Sequence, residues 1–176
     1  KVVRNDEPFN WSRLNNVGVK HADGEILLFI NDDVEITTAG WDDALRRGLE
    51  NTEHGAIGAR LNYPDGSIQH AGILLGVDSH TGHEGQGAVT DEILHRWRTR
   101  HVVSAVTGAF LACRRVDFER VGGLDEICLP IWFNDVDFNL KLRSLGLRIV
   151  YDPEITGIHY ESKTLKRTPT SKRRHE

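Results

Sequence analysis

The sequence predicts an α/β domain built on a mixed sheet, and three stretches of the chain carry that prediction. Residues 26–30 form an unbroken apolar run, which is typical of a strand buried on both faces in a parallel sheet. Residues 41–49 place apolar side chains at helical spacing. Residues 56–62 and 67–75 alternate around a Tyr-Pro-Asp-Gly turn, which indicates a hairpin. Buried strands, helices and one hairpin together favour the mixed α/β class.

The first part of the chain alternates helix and strand signals. Residues 1–3 resemble the end of a strand, and residues 11–22 are expected to form a helix capped by Asn10 or Ser12. After the strand at 26–30, Thr37 or Thr38 is expected to cap a second helix. The apolar face of that helix comprises Trp41, Ala44, Leu45, Gly48 and Leu49.

The second part begins with residues 78–100, which are rich in glycine, histidine and charge and predict a long loop with a short helix near 91–97. Residues 102–113 predict one strand that is broken at Thr107-Gly108. The remaining elements are helices over about 115–121 and 135–145, then strands over 147–151 and 155–160. Residues 1–162 therefore form one predicted domain, and the basic tail 163–176 is expected to be disordered.

The composition and net charge of the chain argue against several classes of protein and partner. The net charge of −4 argues against nucleic acid as a partner. Cys113 and Cys128 lack CxxC spacing, which fits a reducing compartment better than a zinc site or a disulfide framework. No apolar run approaches the roughly 20 residues that a membrane span needs. The chain starts without a methionine, and we expect its first residue not to be the start of a complete domain.

The apolar run at 26–30 ends in Asn31, Asp32 and Asp33. Ligands of α/β sheets bind beyond the carboxyl ends of the strands. Adjacent carboxylates repel each other unless a cation joins them, and clustered oxygen ligands suit Mg²⁺ or Mn²⁺. The alternative is a polar turn in which Asp32 or Asp33 caps the following segment.

A second acidic segment runs from Asn134 to Asp137. On a helix, Asp135 and Asp137 project about 200° apart and cannot easily share a small ligand. Asn134 is a candidate N-cap, and Asp137 occupies a capping-box-like position four residues before Lys141. Asp135 has a weaker structural explanation than Asp137 and is a candidate general base at a helix N-terminus.

Histidines give a weaker signal. His159 follows the last predicted strand, although a single histidine is more often a packed or surface residue than a ligand. His70 should lie opposite Leu61 in the hairpin, which favours a structural role. The histidines of the loop region have no metal-ligand spacing; they are His80, His83, His95 and His101.

Six segments together resemble family 2 glycosyltransferases of the A-type fold, and in particular bacterial rhamnosyltransferase-like enzymes of cell-surface polysaccharide synthesis. The resemblance covers nearly all of residues 9–162. The segments, in order, are residues 15–33, residues 61–72, Val106-Thr107-Gly108-Ala109, residues 121–126, Asn134-Asp135-Val136-Asp137 and Gly157-Ile158-His159.

The resemblance implies roles for ten residues. Asn31-Asp32-Asp33 corresponds to the family's Asp-x-Asp motif, in which Asp33, together with His159, would bind a divalent metal, Mn²⁺ or Mg²⁺. Asp135 corresponds to the catalytic base. The implied donor-binding residues are Asn16, Asn31, Asp32, Thr107 and Gly108. The implied acceptor-binding residues are Asp125 and Trp132.

The resemblance also implies a function. We expect an inverting glycosyltransferase that moves a sugar from a nucleotide-diphosphate sugar to a glycan or lipid-linked acceptor. The family's first strand–helix units have no counterpart here, which leaves an exposed sheet edge and a homodimer as a possibility. The expected location is cytoplasmic, with peripheral contact at the inner face of the plasma membrane. Two alternatives remain open: a metal-dependent nucleotidyltransferase, and a truncated, non-catalytic binding or assembly module.

Overall fold

The structure, a computed structural model, describes residues 2–77, 80–89 and 96–161. No helix in these ranges is long and apolar enough to cross a membrane. The helices and strands, numbered in chain order, are α1 (Trp11–His21), β1 (Ile26–Ile30), β2 (Val34–Ile36), α2 (Trp41–Glu50), β3 (His54–Asn62), β4 (Ile68–His70), β5 (Ile73–Val77), β6 (His80–His83), β7 (His101–Val103), β8 (Phe110–Arg114), α3 (Arg115–Arg120), α4 (Asn134–Ser144) and β9 (Arg148–His159).

A mixed sheet of seven strands organises the chain. Its main order is β1-β8-β3-β9-β2, with β4 paired to β3 and β7 paired to β9. The pair β3–β9 is parallel, whereas the other pairs of this sheet are antiparallel. Strands β5 and β6 form a separate two-stranded sheet. The predicted α/β class with a mixed central sheet is therefore confirmed.

Helices cover both faces of the sheet. On one face, the Phe29 ring of β1 lies 5.6 Å from the ring of Phe118 in α3 and 6.3 Å from that of Phe138 in α4. On the other face, the predicted apolar side of α2 packs its buried Ala44, Leu45 and Leu49 onto the sheet. Burying aliphatic and aromatic side chains of this size contributes about 1.5–3 kcal/mol each, so the two apolar layers hold the sheet between them.

Strand β1 is the main difference between prediction and structure. The prediction that β1 pairs with parallel strands is wrong, because β1 pairs antiparallel with β8. Among the described residues, β1 is the last strand at one end of the sheet. Its apolar run arises because Leu27 and Phe29 pack on one face while Ile26 and Leu28 pack on the other. A continuous apolar run thus indicates that both faces of the strand are buried, but it does not indicate whether the neighbouring strand is parallel or antiparallel.

The structure also tests the predicted N-caps of the first two helices. Asn10 is the N-cap of α1, since its side chain accepts a hydrogen bond of 2.8 Å from the Arg13 N–H. The predicted threonine cap of α2 is wrong: Gly40 is its N-cap, and the hydroxyls of Thr37 and Thr38 contact the Thr156 hydroxyl. These contacts tie the segment before α2 to β9 instead.

The structure also tests the predicted hairpin and the predicted strand boundaries. Leu61 lies opposite His70, as the hairpin pattern predicts. Residues 148–159 form one strand with register shifts against β3, where two strands were expected. Residues 2 and 3 are not in a strand. The tail 163–176 and most of the helix predicted near 91–97 lie outside the described residues.

Candidate functional site

Two strand pairings build the site at one end of the sheet. The β1–β8 register places Ile30 opposite Phe110, and the Asn31 N–H then donates a hydrogen bond of 3.1 Å to the Ala109 carbonyl. The β2–β9 register places Val34 opposite His159. Segments that are distant in sequence therefore meet beside the end of β1.

A cleft of about 570 Å³ lies at this meeting point. Eight of the ten residues singled out from the sequence line it, and Asn16 and Asp125 do not. The eight are Asn31, Asp32, Asp33, Thr107, Gly108, Trp132, Asp135 and His159.

Asp33 and His159 form the polar pair on one side of the cleft. Nε2 of His159 lies 3.1 Å from Oδ1 of Asp33, and both side chains are largely buried, at 13% exposure for His159 and 25% for Asp33. Nδ1 of His159 donates a hydrogen bond of 2.6 Å to Oε1 of Gln69, which is itself buried. Gln69 thereby fixes the ring and leaves Nε2 directed at the carboxylate.

This pair could offer two ligands to a divalent cation. Nδ1 of His159 donates its proton to Gln69, so a proton on Nε2 or a cation between Nε2 and Oδ1 of Asp33 would make the contact between these two atoms favourable. Both atoms are of ligand types that a divalent cation such as Mn²⁺ accepts, and their 3.1 Å separation is also that of an ordinary N–H···O hydrogen bond. Within the described part of the chain, no three His, Cys, Asp or Glu side chains converge as a metal site.

Asn31 is hydrogen-bonded to Trp11, another residue that lines the cleft. Its Oδ1 accepts a hydrogen bond of 3.1 Å from the indole N–H of Trp11. The Trp11 ring also packs closely against Gly108, where an added Cβ would lie 2.8 Å from a ring carbon. Trp11 thus joins the loop after β1 to the loop before β8.

Asp135 is held by the main chain. Its Oδ2 accepts a hydrogen bond of 2.9 Å from the Gly108 N–H, and its Oδ1 accepts one of 2.8 Å from the Val136 N–H. A carboxylate offers about four acceptor positions, so both oxygens keep capacity for a substrate hydroxyl. The buried Asn139 amide donates to the carbonyls of Asp135 and Val106, which fixes α4 against the segment before β8.

Asp137, the other carboxylate of this segment, has the structural role that the spacing suggested. It pairs with Lys141 at 2.7 Å along α4. The predicted N-cap is corrected, however. Phe133 caps α4 in the left-handed conformation, with φ of 60°, and Asn134 is the first helical residue.

Asn16 and Asp125 stabilise a turn outside the cleft. The Asn16 side chain donates to the Leu124 carbonyl at 2.9 Å and accepts from the Leu124 N–H at 3.0 Å. Asp125 accepts hydrogen bonds from the N–H groups of Cys128 and Ile127, and these bonds lower the pKa of its carboxyl group. Both residues thus stabilise the segment that leads to α4, and Asn16 joins it to α1.

Sequence reasoning missed several residues of this region, among them Gln69, His83, Phe133 and Glu161. Gln69 supports His159, while His83, Phe133 and Glu161 line the cleft. Phe133 is 54% exposed, beside Trp132 at 63%. Neither Gln69 nor His83 had a clear local signal, because each lies in a short strand with other polar residues and its place at the site depends on strand pairing.

Two curated relatives match most of the chain in sequence. No family model matches the chain. The chain is 38% identical over 177 residues to protein y4gI of Sinorhizobium fredii and 38% identical over 161 residues to O-antigen biosynthesis protein RfbC of Myxococcus xanthus. These matches cover 99% and 89% of the chain, which spans only 19% and 12% of the two relatives.

Two solved structures share the fold. One is GalNAc-T7 with UDP, GalNAc and Mn²⁺, at a TM-score of 0.70 and 15% identity over 90% of this chain and 32% of that one. The other is the mannosyltransferase PcManGT of Pyrobaculum calidifontis with GDP-Man and Mn²⁺, at 0.63 and 16% over 93% of this chain and 40% of that one.

These structures define the fold of the chain. It is the A-type fold of the two glycosyltransferases. Among the relatives of the chain is a protein of O-antigen biosynthesis, in line with the resemblance seen in the sequence.

Proposed function

We propose that the cleft transfers a sugar from a nucleotide-diphosphate sugar to a hydroxyl of a glycan or lipid-linked acceptor in cell-surface polysaccharide synthesis, with inversion. One observation carries the proposal: a single cleft contains the Asp33–His159 pair and the Asp135 carboxylate. The name of the relative RfbC and the nucleotides bound in the two solved structures support it.

The donor would bind beside the end of β1. Asp33 and His159 would hold a divalent cation, Mn²⁺ or Mg²⁺, with water and donor oxygens completing its shell. When bound, the cation offsets the negative charge that develops on the departing diphosphate. Asn31 and Asp32 line the cleft beside Asp33, where they would contact the donor.

The acceptor would bind on the side of Asp135. There the carboxylate accepts the proton of the acceptor hydroxyl, because an alcohol is a poor nucleophile while protonated. The new bond joins the acceptor oxygen to the anomeric carbon as the bond from that carbon to the diphosphate oxygen breaks. A single displacement of this kind inverts the anomeric centre. Trp132 and Phe133 give this side an exposed aromatic surface on which a sugar ring would stack.

Calorimetric titration of UDP, GDP and dTDP, each with and without Mn²⁺, tests the donor site. We expect at least one nucleotide to bind in a Mn²⁺-dependent way and Asp33→Asn to abolish that binding. Asp23→Asn, at an exposed position after α1, is the matched control and should bind as the unaltered chain does. Equal binding by Asp33→Asn and the unaltered chain would contradict this placement of the donor.

Product analysis separates the proposal from its alternatives. A glycosyltransferase releases a nucleoside diphosphate from a sugar nucleotide, whereas a nucleotidyltransferase releases pyrophosphate. An ordered dimer that binds none of the three nucleotides would favour a non-catalytic assembly module and would refute the proposed activity for this chain.

A further inference from the structure

Two histidines meet in the wall of the cleft, outside the residues assigned above. His70 at the end of β4 is fully buried, and His83 at the end of β6 lines the cleft. Their Nδ1 atoms are 3.0 Å apart, and the rings meet edge to face with centroids 4.9 Å apart. One ring must therefore donate a hydrogen bond and the other must accept it.

Backbone pairing fixes this contact. The Ala71 N–H donates to the Glu84 carbonyl at 3.2 Å, and the Glu84 N–H donates to the Gly72 carbonyl at 2.8 Å. Gly72 has a φ of 116°, and a Cβ there would lie 2.6 Å from a Val103 side-chain atom. The close approach of the two segments thus depends on glycine at this position, and it holds His83 against His70.

The proton positions follow from a third contact. The Thr107 N–H is directed at Nε2 of His70 at 3.5 Å, so Nε2 is an acceptor and Nδ1 carries the His70 proton. Nδ1 of His70 then donates to Nδ1 of His83, and a neutral His83 carries its own proton at Nε2. Burial lowers the pKa of both rings, which keeps the pair neutral near pH 7. A neutral imidazole is a directional hydrogen-bonding group and not a charge.

His83 lines the same cleft as Asp135, His159 and Glu161. Burial lowers the pKa of His83 most; the Asp135 and Glu161 carboxylates and the Gln69 carbonyl raise it, and His159 lowers it. Asp135 marks the acceptor side, and His159 marks the donor diphosphate side. The part of a substrate that lies between these two sides is the sugar that moves from one to the other.

We propose that His83 is a specificity-determining residue that hydrogen-bonds a ring hydroxyl of the transferred sugar, with His70 as the positioning residue behind it. This inference rests on the proposed glycosyl transfer. The expected substrate class is a sugar nucleotide whose ring carries a free hydroxyl towards β6. A site that hydrogen-bonds a hydroxyl discriminates against analogues that lack it, because its buried polar group is then left unpaired.

The test compares two affinities in one variant. With Mn²⁺ present, His83→Ala should weaken binding of the sugar nucleotide about tenfold while leaving binding of the matching nucleoside diphosphate unchanged. UDP with UDP-GalNAc, and GDP with GDP-mannose, are the probes. His83→Gln, which keeps a donor, should restore part of the loss. His54→Ala, a half-buried histidine away from the cleft, is the matched control.

Deoxy analogues of the sugar nucleotide that binds sharpen the test. The analogue that lacks the hydroxyl facing His83 should bind the unaltered chain about tenfold more weakly than the parent, but bind His83→Ala as well as the parent does. If His83→Ala weakened binding of the nucleoside diphosphate and of the sugar nucleotide equally, or weakened neither, the proposed role of His83 would be overturned. The proposed function would not be affected by that result. Failure of the unaltered chain to bind any sugar nucleotide would overturn the proposed function, and this inference with it.

Discussion

The two acidic segments of the cleft look alike in sequence but are held in different ways. Asp33 follows a strand at the end of the described sheet and faces a side chain, His159, which comes from another strand. Asp135 lies at the start of a helix and accepts two backbone N–H bonds. A side-chain partner can rearrange to admit a cation, whereas main-chain donors hold a carboxylate in one orientation. The first arrangement suits a metal ligand and the second a base.

The largest expected effect comes from removing the base. Asp135→Asn should lower sugar transfer by about 10²–10⁴-fold, the range that general acid–base catalysis contributes, while nucleotide binding stays unchanged. Steady-state release of the nucleoside diphosphate measures the first quantity, and calorimetry measures the second.

Asp137→Asn is the control for this substitution. Asp137 lies two residues further along α4 and pairs with Lys141. Its loss should leave turnover close to that of the unaltered chain. A comparable loss of turnover in both variants would mean that the negative charge at the start of α4, and not the Asp135 base, matters.

The Gln69→Ala variant tests whether His159 takes part in metal binding. Gln69→Ala removes the acceptor for Nδ1 of His159, and partners of this kind are typically worth 10–100-fold in metal affinity. Mn²⁺ titration followed by electron paramagnetic resonance measures the affinity without any substrate. Gln86→Ala, at an exposed position that bonds the Tyr63 hydroxyl, should leave Mn²⁺ affinity unchanged. An unchanged affinity in Gln69→Ala would separate His159 from the metal.

The Gly108→Ala variant tests whether the close packing of Trp11 beside Asp135 requires a glycine at position 108. An Ala Cβ would lie 2.8 and 2.9 Å from two ring carbons of Trp11 and 3.5 Å from the Asp135 Cβ. Overpacking of this kind lowers the free energy of unfolding by about 1–3 kcal/mol, and urea denaturation measures it. Gly18→Ala in α1 meets no atom within 4 Å and should stabilise the helix by about 0.5–1 kcal/mol. Equal stability of the two variants would refute the steric argument.

The smallest expected effect is a pH dependence from the His70–His83 pair. Burial lowers the pKa of both rings in the folded chain, so the unfolded chain binds more protons below the ordinary value of 6.5. Their contribution to stability is present above that value and is lost as the pH falls below it, by at most about 1.4 kcal/mol per pH unit for each ring. Urea midpoints at pH 7 and pH 5 should fall less for His70→Gln than for the unaltered chain. An identical fall in both would show that His70 is not the group that titrates.

Local signals and the family resemblance predicted most of the residues that line the cleft. The run at 26–30 located the acidic loop after β1, and the spacing of Asp137 to Lys141 indicated the ion pair along α4. Both signals depend only on neighbouring residues and on the periodicity of helices and strands, which is why they carry over to the folded chain.

Long-range pairing decided the rest. Asp33 meets His159 because β2 pairs with the end of β9, and Asp135 meets Gly108 because α4 packs beside the segment before β8. The sequence by itself determined the mixed α/β class, the buried faces of the helices and the residue types of the site. The tertiary structure decided the antiparallel pairing of β1 with β8, the support of His159 by Gln69 and the His70–His83 contact. Contacts between different strands and helices depend on how the sheet and the helices pack, and no local periodicity records them.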